Sequence, residues 1–396
     1  MKYDFDKVYN RLDAPYQYSS KWADTQSNRD RYNYGKPLPA DRIPLHTADM
    51  DFACAPKIVE AMVKTAEHGI YGYTMIPDAY YEAVVGWFDR RFDWKFDKKD
   101  IYVCMNGTHT AVRNCIEAFS KPGDGVILML PSYGYRSDIE PLGRHEVDIM
   151  LKEDNGWYTV DYDALEEVCK VEENTILIMI QPHNPTGRNW TTEELNRIAD
   201  ICRRNGVIII SDEVHVDLYR KGMRPEPMMK ACGPEGIVST TAVNKTFNMA
   251  GMAMTNVIIS DPELKAKYHF RGSSTPFGVS CVIAAYNECE DWVDELNEYI
   301  DMLMEYAVDR IHKELPKAKV IIPEGTYTIW IDFRGYGLPA EEVNRRINDA
   351  HVMLKMGTVF DDPDGDNWAR VCLSSPKSMI VEALDRIVKN FEDVNG

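Results

Sequence analysis

The chain has no Cys-x-x-Cys pair, no long apolar run and too little positive charge to balance its acids. Its nine cysteines are scattered at positions 54, 104, 115, 169, 202, 232, 281, 289 and 372. An odd number without framework spacing excludes a secreted disulfide scaffold and disfavours zinc, so no metal site is expected. Several, such as Cys104 and Cys372, lie inside apolar runs and read as reduced, buried thiols. No run approaches the roughly 18 apolar residues that a membrane span needs. The start, Met1-Lys2-Tyr3-Asp4-Phe5-Asp6, has no hydrophobic signal core. With 45 Lys+Arg against 63 Asp+Glu, the net charge of -18 repels phosphate backbones and anionic lipid. Neither nucleic acid nor a membrane is an expected partner, and the expected location is the cytoplasm. A single basic pocket for a phosphate is still allowed.

What is present is an ordinary globular composition, 44% hydrophobic and 27% charged over 396 residues. At about 150 residues per domain this length implies two or three domains. Residues 1–45, rich in Tyr, Asp, Arg and Pro, read as a helix and an extended arm. A helix is expected from about Pro56 to His68, with Ile58, Met62 and Val63 at helical spacing and Gly69 as its stop. A second is expected from Asp78 to about Arg91. Strand-like runs follow at Ile101–Met105, Val126–Leu130, Thr175–Gln181, Val207–Ser211, Ile237–Thr241 and Asn256–Ser260, with helices at His109–Phe119 and Thr192–Asn205 between them. Near-continuous apolar strands alternating with helices predict an α/β fold, a mostly parallel central sheet covered by helices. A long helix is expected over Glu288–Leu315, ended by Pro316. Beyond it, strands at Val320–Ile322, Tyr327–Phe333 and Arg370–Leu373 suit a smaller α+β domain. The expected divisions are 1–45, 46–287 and 288–396.

Three polar side chains come off the ends of three successive apolar runs: Asn184, Asp212 and Lys245. Ligands bind in the crevice outside such strand ends. A lysine, a carboxylate and an amide presented together there point to pyridoxal 5′-phosphate, the lysine attaching the aldehyde and Asp212 holding the ring nitrogen charged. Each residue alone has a plainer reading. Asp212 could pair with an arginine, and Asn184-Pro185-Thr186-Gly187 could be only a turn. Gly107 and Thr108, between a strand and a helix, form either an ordinary turn or a cradle for an anion. Tyr133 suits stacking on a ring or simple packing. Arg370 suits capture of a carboxylate or a structural ion pair.

Taken together these residues resemble the fold-type I pyridoxal-phosphate enzymes of aminotransferase class I/II, the aspartate aminotransferase-like fold. Within them the chain is similar to the MalY/PatB group of cystathionine β-lyases. The resemblance is carried by Ala48-Asp49-Met50-Asp51-Phe52, Gly72-Tyr73-Thr74, Pro182-His183-Asn184-Pro185-Thr186-Gly187-Arg188, Ser211-Asp212-Glu213-Val214-His215, Lys245-Thr246-Phe247-Asn248 and Ala284-Ala285-Tyr286. It implies that Lys245 is the catalytic lysine, with Asp212 on the pyridine nitrogen, Asn184 on the ring oxygen and Tyr133 stacked on the ring. Gly107 and Thr108 would hold the phosphate and His215 would also contact the cofactor. Tyr73 would reach the phosphate of a neighbouring subunit, so a homodimer with shared sites is implied. Arg370 and Asp49 would bind the amino-acid substrate.

The implied activity is β-elimination from a sulfur-containing L-amino acid, giving thiol, pyruvate and ammonia. An aminotransferase, a racemase or epimerase, and a regulatory binding protein built on the same fold are the competing expectations. The chain departs from the group at His46 (tryptophan in relatives), at Asn244 (serine) and at Asp361–Asp366, where relatives carry a glycine-rich turn. All three departures fall near the expected substrate entrance.

Overall fold

A computed structural model describes residues 1–13, 18–270 and 272–395. Its centre is a seven-stranded sheet built from β1 (Ile101–Cys104), β2 (Gly125–Leu130), β3 (His145–Met150), β4 (Asn174–Ile180), β5 (Ile208–Asp212), β6 (Ile237–Thr241) and β7 (Thr255–Ile258). The spatial order is β1–β7–β6–β5–β4–β2–β3. Neighbours are parallel except at β7, which runs antiparallel to both β1 and β6. Side chains of a strand alternate between faces, and both faces here are covered. Val126, Leu128, Ile176, Ile178, Ile210 and Val238 pack under the helix Gly107–Phe119 in one core. Ile127, Met129, Leu177, Met179, Ile209 and Ile237 enter the other, with the helices Asp78–Phe92, Thr192–Arg204 and Pro276–Glu288. That double coverage is why the strands read as unbroken apolar runs.

A second sheet comprises β8 (Lys319–Val320), β9 (Thr328–Asp332), β10 (Lys355–Met356) and β11 (Trp368–Cys372), all antiparallel in the order β8–β9–β11–β10. The helices Ala340–Asp349 and Lys377–Phe391 accompany it. The N-terminal segment is tied to both parts. Phe5 packs on Phe52, Trp292 and Tyr299, and Ile43–Pro44 pairs in parallel with Val352–Met353.

Several boundaries differ from the sequence reading. The helix expected at His109 begins at Gly107, which places Gly107 and Thr108 in its first turn. The long helix is present as Glu290–Glu314, and a separate helix that the sequence reading did not place, Pro276–Glu288, precedes it across Cys289. Strand β3 and the hairpin Lys152–Asp154/Trp157–Thr159 were not anticipated, because their charged, part-exposed residues carry no apolar run. Val63, expected on the buried face of its helix, is 49% exposed. Thr191 caps the helix Thr192–Arg204, closing a capping box with Glu194.

The turn after β4 depends on Gly187. Its φ is +71°, its carbonyl accepts the N–H groups of Glu324 and Gly325 at 2.9 Å each, and a Cβ there would collide with Pro323. Gly187→Ala should therefore cost about 2–4 kcal/mol, from the left-handed backbone and the overlap together. Denaturant unfolding checks this; a variant as stable as the parent would show that the turn can relax.

Candidate active site

Strands β4, β5 and β6 are immediate neighbours, so their C-terminal ends deliver Asn184, Asp212 and Lys245 to one place. The three line a cavity of about 230 Å³ together with Gly107, Thr108, Tyr133, His215 and Arg370. Eight of the ten residues expected at the site therefore converge. Asp49 sits beside the cavity without lining it, its carboxylate 3.2 Å from Arg11. Tyr73 is fully exposed outside the cavity.

Lys245 does not hang directly from a strand end. Ala242 is still extended, and Val243–Thr246 then make one helical turn that carries the lysine. The turn is anchored on both sides of it. Thr246 donates to buried Asp217 (3.1 Å), which also accepts from Trp87 (3.0 Å), while Phe247 packs between Trp87 and Trp292. Lys245 Nζ donates to the Ala48 carbonyl at 2.8 Å. Burial, reinforced by the charge of Arg370, holds the amine below the usual lysine range. A neutral amine is what proton abstraction or attack on an aldehyde requires.

Asp212 closes β5. Its Oδ2 accepts the hydroxyl of Tyr135 and its Oδ1 the N–H of Val214 at 3.3 Å. Burial nevertheless pushes its carboxyl above the usual range, so a cationic ring nitrogen is a suitable further partner. Asn184 is fixed by Arg370, whose Nη1 donates to its Oδ1 at 3.0 Å. With that oxygen engaged, the amide NH₂ is the end left for a phenolic oxygen. Arg370 Nη2 donates to the His46 carbonyl at 2.7 Å, and Arg370 Nε has no partner. His215 is held neutral by burial, then by Lys245 and Arg370.

At the other end, Asn106 and Gly107 both have positive φ, 72° and 82°, and a Cβ on Gly107 would meet nothing within 4 Å. Such a turn at a helix N-terminus presents N–H groups to an anion. The donor set thus fits each part of pyridoxal 5′-phosphate: an amine, a carboxylate for the ring nitrogen, an amide for the ring oxygen and a cradle for the phosphate. Two of the lining residues also carry buried atoms without partners, His215 Nδ1 and Asn244 Oδ1.

Three ionisable lining residues were not singled out by the sequence reading. Tyr135 could have been noticed beside Tyr133, but nothing local announces that it reaches Asp212. His109, hydrogen-bonded through Nδ1 to buried Asp138, lies 5.5 Å from the Tyr133 ring centre. Lys355 enters from the second sheet, and burial, with Arg370 next in effect, pushes its amine down to about 8. The departures at His46 and Asn244 also lie here, the first bonded to Arg370 and the second lining the cavity.

Residues 40–387 match the family model described as aminotransferase class I and II. Cystathionine β-lyase PatB of Bacillus subtilis is 34% identical over 357 residues, 88% of this chain and 92% of that protein. Protein MalY of Escherichia coli is 28% identical over 403 aligned positions, covering 99% of this chain and all of that one. The crystal structure of cystalysin from Treponema denticola, which contains a pyridoxal 5′-phosphate cofactor, has a TM-score of 0.92 at 31% identity and spans 99% of this chain and 100% of its own. The chain belongs to the class I and II aminotransferase family. Within that family its likeness is to the PatB and MalY proteins.

Glu213, next to Asp212 but turned to the far side of the strand, generates a pH dependence. Burial pushes its carboxyl up to about 7, although Ser211 and the Met228 N–H each donate to Oε1 at 2.8 Å. Between the ordinary value of 4.5 and 7 the folded chain holds a proton that the unfolded chain has released. This group's contribution to stability therefore falls as pH rises through that window. Glu213→Gln should match the parent near pH 4.5 and exceed it near pH 8 by about 3 kcal/mol in cofactor-free protein. Equal unfolding curves at pH 8 would refute it.

Proposed function

We propose that this chain is a pyridoxal-phosphate-dependent carbon–sulfur β-lyase of the cystathionine β-lyase type, releasing thiol, pyruvate and ammonia from a sulfur-containing L-amino acid. The observation that carries the reading is the meeting of Lys245, Asp212 and Asn184 in one cavity at adjacent strand ends. The names of PatB and of the C–S lyase from Staphylococcus hominis (28% identical, TM-score 0.88) point the same way.

The cofactor, when bound, supplies the electron sink that makes the Cα–H bond of an amino acid acidic. The chain's own residues set the rest. Asp212 keeps a proton on the ring nitrogen through its carboxylate. Asn184 would donate its NH₂ to the ring oxygen, in the orientation that Arg370 imposes. Gly107 and Thr108 would hold the phosphate, Tyr133 would pack on the ring and His215 would contact the cofactor as a neutral imidazole. Arg370 takes the α-carboxylate with its unsatisfied N–H groups, which places the Cα proton toward Lys245. Lys245 Nζ, uncharged when released, accepts that proton. Departure of the β-thiolate, and not return of the proton to the cofactor, distinguishes the lyase from an aminotransferase. Asp49 would act at the substrate entrance, beside Arg11.

On this reading residues 46–287 serve as the cofactor-binding unit and 288–396 as the smaller unit that brings Arg370 into the site. The active form would be a homodimer. Val59, Val63, Ile70, Tyr71, Tyr73 and Met75 are exposed on one continuous stretch, an apolar surface of the sort that marks an interface. Tyr73 would cross it to the partner's phosphate.

Two measurements test the proposal. Protein supplied with the coenzyme should absorb near the visible edge and form pyruvate and thiol from L-cystathionine or L-cysteine, and Lys245→Ala should lose both properties. Accumulation of a 2-oxo acid and the amine form of the coenzyme without thiol would select the aminotransferase instead. For the dimer, mixing inactive Lys245→Ala with inactive Tyr73→Ala should restore about a quarter of parental activity, since half the dimers would be hybrids with one intact site. No recovery after subunit exchange would remove Tyr73 from the partner's site.

A further inference from the structure

Lys355 on β10 is the Cα partner of Arg370 on β11. Residues directly opposed in an antiparallel pair project from the same face, and like charges so placed repel. Both side chains line the cavity, and the only carboxylate in that lining, among the described residues, is Asp212. Asp212 is already occupied by Tyr135 and Val214 and is destined for the ring nitrogen. Lys355 Nζ makes no hydrogen bond or ion pair with any described residue. Its ammonium stands over the Tyr133 ring, 5.8 Å from the centre. A desolvated cation beside a second cation, with no acid of the protein's own, is set to receive an anion from outside.

Three basic side chains, Lys245, Lys355 and Arg370, therefore surround a space that holds one substrate. If Lys245 carries the cofactor and Arg370 takes the α-carboxylate, Lys355 is left over. The phosphate has its own cradle at Gly107 and Thr108 on the large sheet's side, whereas Lys355 comes from the small sheet with Arg370. We propose that Lys355 selects substrates with a second anionic group, so that the preferred amino acid is a cysteine S-conjugate whose sulfur substituent bears a carboxylate or similar oxyanion. This rests on the lyase reading above and names its substrate class. In S-carboxymethyl-L-cysteine the Cα proton passes to Lys245, the Cβ–S bond breaks with its electron pair on sulfur, and water replaces nitrogen. The products are thioglycolate, pyruvate and ammonium.

The test compares S-carboxymethyl-L-cysteine with its neutral isostere S-carbamoylmethyl-L-cysteine on holoenzyme. The parent should favour the anionic compound by about tenfold or more in kcat/KM, the usual worth of a charged hydrogen bond. K355Q and K355M should each bring that ratio close to one, and K355R should keep it. A parent without preference, or variants that lower both substrates equally while weakening coenzyme binding, would overturn the proposal and assign Lys355 to the phosphate. If neither compound yields thiol, and L-cystathionine and L-cysteine yield none either, the lyase reading fails by itself. Saturation of the coenzyme's absorbance change by the two compounds then still reads the charge preference, and equal half-saturation in the parent would refute it.

Discussion

A buried guanidinium holds the catalytic end of this molecule together. Arg370 is 1% exposed, and its two terminal nitrogens are taken by groups from different parts of the chain, Asn184 after β4 and the His46 carbonyl. Removing a charge from water is tolerated only where donors find acceptors. The fork therefore fixes where the small sheet sits against the large one. It also sets the electrostatics: its charge contributes to the lowered proton affinity of Lys245, His215 and Lys355. One side chain thus aligns the amide, adds to the effect of burial in lowering the proton affinity of the amine, and keeps one N–H unpaired.

Around that joint the large sheet works as a presentation device. Parallel neighbours β4, β5 and β6 end on the same side, so an amide, a carboxylate and an amine lie in a row without any loop having to search for them. The cost falls on the buried acids. Asp212, Glu213 and Asp217 are all pushed above the ordinary carboxyl range by desolvation. Of the three, Asp212 is the one that lines the cavity, where a positively charged ring would relieve its burden.

Much of this was legible in the sequence where a side chain's role is local. Both-face burial writes strands as apolar runs, so β4, β5 and β6 were located within a residue or two, and the polar residue after each could be singled out. What was not legible arises between elements. The reversed direction of β7 leaves no trace in its composition, and the edge strand β3 looks like a charged loop. Tyr135, His109 and Lys355 matter because of what they face: Asp212, Asp138 and Arg370. Those pairs are set by sheet register and helix placement, which no spacing in the chain encodes. Tyr73 is the opposite case. A motif pointed to it, and within a single chain it touches nothing in the cavity.

The short stretch from Ile43 to Ala48 deserves a mechanical reading. Ile43 and Leu45 donate to the carbonyls of His351 and Met353, and Leu45 accepts from Cys372 at 2.9 Å, so the stretch is laced to the small sheet. A few residues on, the Ala48 carbonyl is the acceptor that parks Lys245. The strap is therefore a tether between the smaller body and the reactive amine. Any tilt of that body on entry of a ligand would be transmitted along five peptide units and would slacken or tighten the grip on Nζ at the moment the amine is needed.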